Sequence, residues 1–344
     1  MTVKKKFSHL GFSIIFYLVF SNLISVIAIS ICMIIYALIH YFSITASAPE
    51  LAGADYTLIV TLIEKFRSNT ILVNLITMCS GYFIAVPISL LILNSPKYRD
   101  VPLSDFQFYT PEEKARKKKL SPAEFGSFLM FMFPLGIIGS LIGNLLAFAM
   151  SAITGQTMTD VLASTLTNMP LPMVFILSVL LAPIFEEIVF RYAVIGYSRR
   201  WGEWNAIVIS ALIFGLIHTN VFQFFYAFAL GIVFGYVYIY TGRIIYTIIM
   251  HMTFNFFGAF VPMLIDPELS PSNMGSMIYS VIQYVVAIIG LIMLIVYVKK
   301  GNLMESSPEA PIQGKLCKDS LLNGGMISLV VVCLIITAIM AFAL

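Results

Sequence analysis

Three ionisable side chains stand where ionisable side chains are costly. Glu186, Glu187 and Arg191 interrupt an otherwise apolar stretch, Leu171 to Tyr197, that is long enough to cross a bilayer. On insertion scales a charge at the centre of a membrane helix costs about 2.5–3.5 kcal/mol. Residues kept at that cost are functional or are paired into a polar network. Glu187 and Arg191 are four apart, share a helix face and can pair with each other. Glu186 points about 100° away from Glu187, so one carboxylate is left for chemistry, although the two glutamates can exchange these roles. Pro183, three residues earlier, leaves a backbone carbonyl without its donor and predicts a kink beside the acidic pair.

Two further apolar stretches carry His218 and His251, and Asn255 follows His251 by four residues, on the same helix face. A carboxylate that deprotonates water, histidines that orient water or stabilise charge, and an amide donor for an oxyanion suit hydrolysis of an amide bond. Glutamate–histidine relays also serve proton-coupled transport. Other membrane chemistries lack their residues: there is no H-E-x-x-H, no G-x-S-x-G and no pair of aspartates within the apolar spans.

The elements that must position these residues are membrane helices. The 344 residues are 60% hydrophobic and 11% charged, with a mean hydropathy of +0.95, which excludes a soluble globule and predicts an all-α, polytopic transmembrane bundle. Apolar runs at about 10–42, 71–93, 125–151, 171–197, 205–220, 222–241, 244–265, 277–298 and 325–344 give eight or nine spans by the roughly 20-residue criterion. Of the 20 Lys and Arg, 17 fall in the N-terminus and alternate connections, Lys65 and Arg67 fall in the others, and Arg191 lies within a span. The N-terminus is therefore expected to be cytoplasmic. The same distribution makes the net charge of +3 a topology signal and argues against a nucleic-acid partner. Lys4 to Lys6 precede an apolar region too long for a signal-peptide core of roughly 7–15 residues, so it reads as a retained first span.

Cys32, Cys79 and Cys333 lie in apolar runs and Cys317 in a loop, with no C-x-x-C, so neither a disulfide framework nor a metal knuckle is indicated. His9 and His40 flank the first span and read as interfacial. Pro111 to Lys119, PEEKARKKK, reads as a solvated loop that sets topology. Gly231 and Gly235 mark close helix packing. Three regions result: 1–124, two spans with a basic cytoplasmic loop; 125–298, the membrane-embedded core; and 299–344, a cytoplasmic linker and terminal span. Counting ~1.5 Å per residue from the cytoplasmic ends puts Glu186 roughly 18 Å, His218 roughly 21 Å and His251 roughly 12 Å deep. One cavity can take all three.

E-E-x-x-x-R at Glu186, Glu187 and Arg191, F-x-x-x-H at Phe214 and His218, and H-x-x-x-N at His251 and Asn255, in this order on successive spans, resemble the CPBP family. That family contains the type II CAAX prenyl endopeptidases and bacteriocin-immunity relatives. The resemblance covers about 171–262. It implies an intramembrane endopeptidase of a bacterial cell membrane, acting on a peptide or membrane-protein tail. In it Glu186 activates water, His218 helps hold that water, His251 and Asn255 stabilise the oxyanion, and Glu187, Arg191 and Phe214 support the site. Family members are often labelled metalloproteases. Zinc, if present, would sit on Glu186, His218 and His251; a metal-free glutamate mechanism needs the same residues. The alternative is a non-proteolytic membrane partner or bacteriocin self-immunity protein that uses the same polar core structurally.

Overall fold

The computed structural model of the chain describes residues 1–48, 55–98, 117–270, 272–301, 303–304, 310–314 and 316–342. Most of the PEEKARKKK loop lies outside the described residues. Among the described residues, eight helices have the length and apolarity to cross a membrane: α1 Val3–Ser47, α3 Thr70–Leu93, α4 Pro122–Thr154, α6 Leu171–Trp201, α8 Val221–Thr241, α9 Ile244–Ile265, α10 Met274–Lys299 and α12 Gly324–Ala341. Shorter helices lie between them: α2 Asp55–Ser68, α5 Val161–Thr167, α7 Glu203–Ile217 and α11 Lys318–Leu321. The protein is an integral, multi-pass helical bundle.

The sequence punctuates these helices with polar caps. Ser121 and Glu124 close a capping box ahead of α4, with Pro122 in its first turn, and Gly155 ends the helix at φ 72°. Asn220 caps α8, and Gly242 ends it at φ 65°. Asn273 caps α10. Each cap satisfies backbone groups that lipid cannot.

The described residues form two compact units, Phe16–Ser89 and the remainder, Met1–Ile15 with Leu90–Leu344. Within the first, Ser25 Oγ donates to Thr77 O at 3.2 Å and contacts Ser80 Oγ at 3.0 Å. The second holds the candidate site, and its core packs Phe128, Phe131 and Met132 of α4 against Ile207 of α7 and Leu230, Phe234 and Tyr236 of α8. Glycines let the backbones approach. A Cβ at Gly139 would lie 2.4 Å from Tyr226 Cα, and one at Gly231 2.8 Å from Ala211 Cα. The close packing expected at Gly231 is thus present between α7 and α8.

α7 departs from the expected spans. Its 15 residues rise only about 22 Å, short of a ~30 Å hydrocarbon core. The chain then turns through His218, Thr219 and Asn220 into α8, with Thr219 at φ 47°, where a β-branched residue is strained. Inside a membrane, non-helical backbone is tolerated where it lines a cavity. Here it borders one of about 230 Å³, walled by His218, Asn220, Gln223, Thr159 and Thr337 among others.

The described parts of 299–324 are pinned to the bundle. Ile312 N donates to Trp201 O at 2.8 Å, Trp204 Nε1 to Met304 O at 3.1 Å, and Cys317 N to Asn205 Oδ1 at 2.8 Å. At the N-terminus, Lys6 is buried rather than solvated. Its Nζ donates to Tyr98 O at 3.0 Å and lies 3.6 Å from the Tyr197 ring centre.

Candidate active site

α6 is not one regular helix. A π turn, Phe175–Leu181, leads into the α-helical segment Ala182–Glu187, and a second π stretch, Ile188–Ile195, follows. π turns in otherwise α-helical segments cluster at functional sites. The π turn ends just before Pro183, and both glutamates sit on the α-helical segment between the two π stretches. Ser210 Oγ on α7 donates to Phe190 O at 2.8 Å, tying α7 to the second π stretch.

Glu187 is fully buried and is held from two sides. Arg191 Nε approaches its Oε2 at 3.2 Å, the i,i+4 pair anticipated by the spacing. The angle does not make this a hydrogen bond, so it is a charge contact. On the other side His251 Nδ1 lies 3.0 Å from Glu187 Oε1. A carboxylate accepts, so Nδ1 carries a proton, and whenever the ring is neutral its lone pair is at Nε2. Nε2 faces Glu186 Oε2 at 3.7 Å, beyond a hydrogen bond.

The two glutamates therefore differ in environment, a point the spacing alone left open. The Glu187 side chain has no exposed surface, whereas that of Glu186 is 25% exposed, beside a His251 ring that is 6% exposed. Glu186 is the carboxylate that keeps exposed surface.

Arg191 is buried among aromatic rings. Its guanidinium carbon lies 4.4 Å from the centre of Phe214 and 5.1 Å from that of Phe234, and Nη1 and Nη2 find no hydrogen-bond partner among the described residues. Cation–π attraction strengthens when the cation is desolvated, and here it stands in for the missing hydrogen bonds. Phe214 also meets His218 edge-on at 4.9 Å and His251 at 5.7 Å. Phe234, in the gap between Gly231 and Gly235, completes this aromatic wall. Only its place in that glycine pair hinted at it in the sequence.

His218, just past the end of α7, lies 2.6 Å from Phe214 O through Nδ1. A carbonyl only accepts, so here too Nδ1 donates and Nε2 is left as an acceptor. The residue borders the 230 Å³ cavity. Asn255 Nδ2 donates to Ser178 O on α6 at 2.8 Å. The structure thus gathers Glu186, Glu187, Arg191, Phe214 and His251 into direct contacts, with His218 attached through Phe214 and Asn255 one turn beyond His251, fastened to α6. A chain from Asn220 through Gln223 to Tyr226, linked at 3.1 and 3.0 Å, was not foreseen.

Two imidazole Nε2 acceptors and a carboxylate are the donor types zinc takes. Among the described residues, however, no three His, Cys, Asp or Glu side chains converge as metal ligands. Glu186, His218 and His251 as placed do not fit a zinc ion, and no chemical step is routed through one.

Residues 168–257 match the family model described as type II CAAX prenyl endopeptidase Rce1-like. The chain is 29% identical over 131 residues to "Putative membrane peptidase YdiL" of Bacillus subtilis (strain 168). That alignment covers 38% of this chain and about half, 51%, of the relative. No solved structure matches the chain.

Proposed function

We propose that the chain, whose residues 168–257 match the Rce1-like family model, is a CAAX-protease-like intramembrane peptidase of the CPBP family that hydrolyses peptide bonds with water activated by Glu186. Its substrate is a peptide or the tail of a membrane protein. One observation carries this reading: of two adjacent carboxylates, Glu187 is sealed between Arg191 and His251, while the Glu186 side chain keeps a quarter of its surface exposed, 3.7 Å from His251 Nε2.

In this mechanism a water molecule donates one hydrogen to Glu186 and the other to Nε2 of His218, whose tautomer is set by Phe214 O. Glu186 takes the first proton as the water oxygen attacks the scissile carbonyl carbon. The proton can pass to Nε2 of His251, 3.7 Å away. The resulting imidazolium is stabilised by Glu187, as a carboxylate stabilises the imidazolium of a hydrolytic triad. His251 and the second Nδ2 hydrogen of Asn255 then donate to the oxyanion. The departing nitrogen takes this proton as the C–N bond breaks, and the new carboxylic acid gives up its own proton to the freed amine, leaving a carboxylate and an ammonium. Arg191 offsets one of the two glutamate charges throughout.

Glu186→Gln tests the reading. It keeps the side chain's shape but cannot take a proton from water. With an internally quenched farnesylated CAAX peptide and with an unprenylated peptide of the same sequence, the wild type is expected to cleave at least one. The variant should bind it and leave it intact. A scaffold or self-immunity protein needs no proton transfer, and its cellular phenotype would survive Glu186→Gln at normal protein levels. Survival in that form ends the peptidase reading.

A further inference from the structure

The hydrogen that Pro183 lacks has a counterpart in the site. Ala182 N donates to Leu177 O, five residues back, so the register of the π turn sets the next donor, at position 183, against Ser178 O. Proline supplies no N–H. Ser178 O accepts instead from Asn255 Nδ2, which reaches it from α9 at 2.8 Å.

The same arrangement recurs at the far end of α9. Val261 N donates to Phe256 O, again five back, and Pro262 follows. Phe257 O, the acceptor thus left over, receives the Tyr279 hydroxyl at 2.7 Å and Gln283 Nε2 at 3.0 Å, both from α10. A third π turn, Gly81–Ala85, also ends with an i−5 bond, from Val86 to Gly81 O, one residue before Pro87. Each of these turns stops just short of a proline. In the two around α9, the carbonyl that the proline cannot satisfy becomes a dock for a polar side chain of a neighbouring helix.

We propose that Pro183 is a positioning residue for Asn255. By withholding its N–H it keeps Ser178 O open as an acceptor, and that acceptor fixes the plane of the Asn255 carboxamide. The second Nδ2 hydrogen is then presented, one turn beyond His251, to the reacting carbonyl. The proposal rests on the peptidase reading for its effect on rate. It does not rest on that reading for the contact itself, since an unsatisfied carbonyl inside a membrane costs several kcal/mol whatever the protein does.

Pro183→Ala restores an N–H in register with Ser178 O, which competes with Asn255 for that acceptor. Pro183→Gly does the same and covers the case in which the alanine variant does not fold. The test uses the full chain in nanodiscs with selective ¹⁵N-asparagine labelling, the Asn255 side-chain signal being identified by its loss in Asn255→Ala. That signal is expected to shift and to exchange faster in Pro183→Ala, and to stay in place in a Pro87→Ala control. On the farnesylated CAAX peptide, kcat is expected to fall by about 10- to 100-fold with KM within about 2-fold, less than the loss of ~10²–10³ for removal of an oxyanion donor. Pro183→Ala with Asn255→Ala should be no slower than Asn255→Ala alone, because both changes break one link. An unmoved Asn255 signal, a wild-type kcat for Pro183→Ala, or losses that multiply in the double variant each overturn the proposal. If the wild type cleaves neither peptide, the peptidase reading falls, and the Asn255 signal alone decides whether Pro183 positions it.

Discussion

Arg191→Ala isolates the electrostatics that hold the site together. The guanidinium is fully buried, 3.2 Å from an equally buried Glu187, and lies against two phenyl rings. Removing one partner of such a pair leaves the other charge uncompensated, which costs about 3–5 kcal/mol. Loss of ring contacts to a desolvated cation adds about 1–2 kcal/mol. Part of this is recoverable, because His251 Nδ1 still donates to Glu187 and the ring can take up a proton. The net expectation is about 3–5 kcal/mol, a large share of the 5–15 kcal/mol typical of a folded domain. Glu186→Gln should cost less than about 1 kcal/mol: its side chain is a quarter exposed and its nearest charged contact is 3.7 Å away. Paired removal of both charges, Glu187→Gln with Arg191→Met, should recover much of the loss. Folded protein in membranes, read by fluorescence-detected size exclusion after a heating series, orders the variants: wild type and Glu186→Gln together, the double variant below them, Arg191→Ala last. If Arg191→Ala heats like Glu186→Gln, the buried pair does not hold the site and the reasoning fails.

Three other outcomes are expected. Reporter fusions at Lys118 and Lys318 should read cytoplasmic and those at Gly155 and Asn273 external; Lys118 and Gly155 on the same side would remove α4 from the spans. Purified protein should carry zinc well below one equivalent, because Glu186, His218 and His251 do not converge as ligands. Stoichiometric zinc, with activity lost to a chelator and restored by the metal, would reverse that. Gly139→Ala puts a methyl 2.4 Å from Tyr226 Cα, backbone that cannot yield without moving α8, so overpacking should cost about 1–3 kcal/mol. Gly126→Ala, with nothing within 4 Å, is the matched control, and equal thermal stability of the two would count against the α4–α8 contact.

The fold was legible where a single helix settles the question. Spanning length, caps and basic loops are local properties, and the runs from about 71 to 298 return as helices with ends within a few residues of those expected. Lys6 shows the limit. In sequence it is the third of three lysines ahead of an apolar run, indistinguishable from Lys4 and Lys5. Its burial against Tyr98 and Tyr197 depends on residues about 90 and 190 positions away. α7 shows a second limit: apolar composition fits a span, but His218 ends the helix through the turn at Thr219, and a positive φ at threonine has no sequence signature.

The site divides along the same line. The pairing of Glu187 with Arg191 follows from helical spacing, which brings i and i+4 together whatever surrounds them. Which glutamate is sealed does not follow. It is decided by the side of α6 that α9 covers, and so by the 3.0 Å contact from His251 to Glu187. Pro183 lies between these cases. Its lack of an N–H is written in the sequence, and a freed carbonyl was foreseen one turn earlier, but an α register would free Val179 O. The π turn moves the vacancy back one residue to Ser178 O, the atom Asn255 finds. Motif positions named the residues, but the partner of each was fixed by backbone register and by the faces on which three helices meet. Single substitutions at Glu186, Arg191 and Pro183 accordingly probe three separable properties: proton transfer, charge balance and donor orientation.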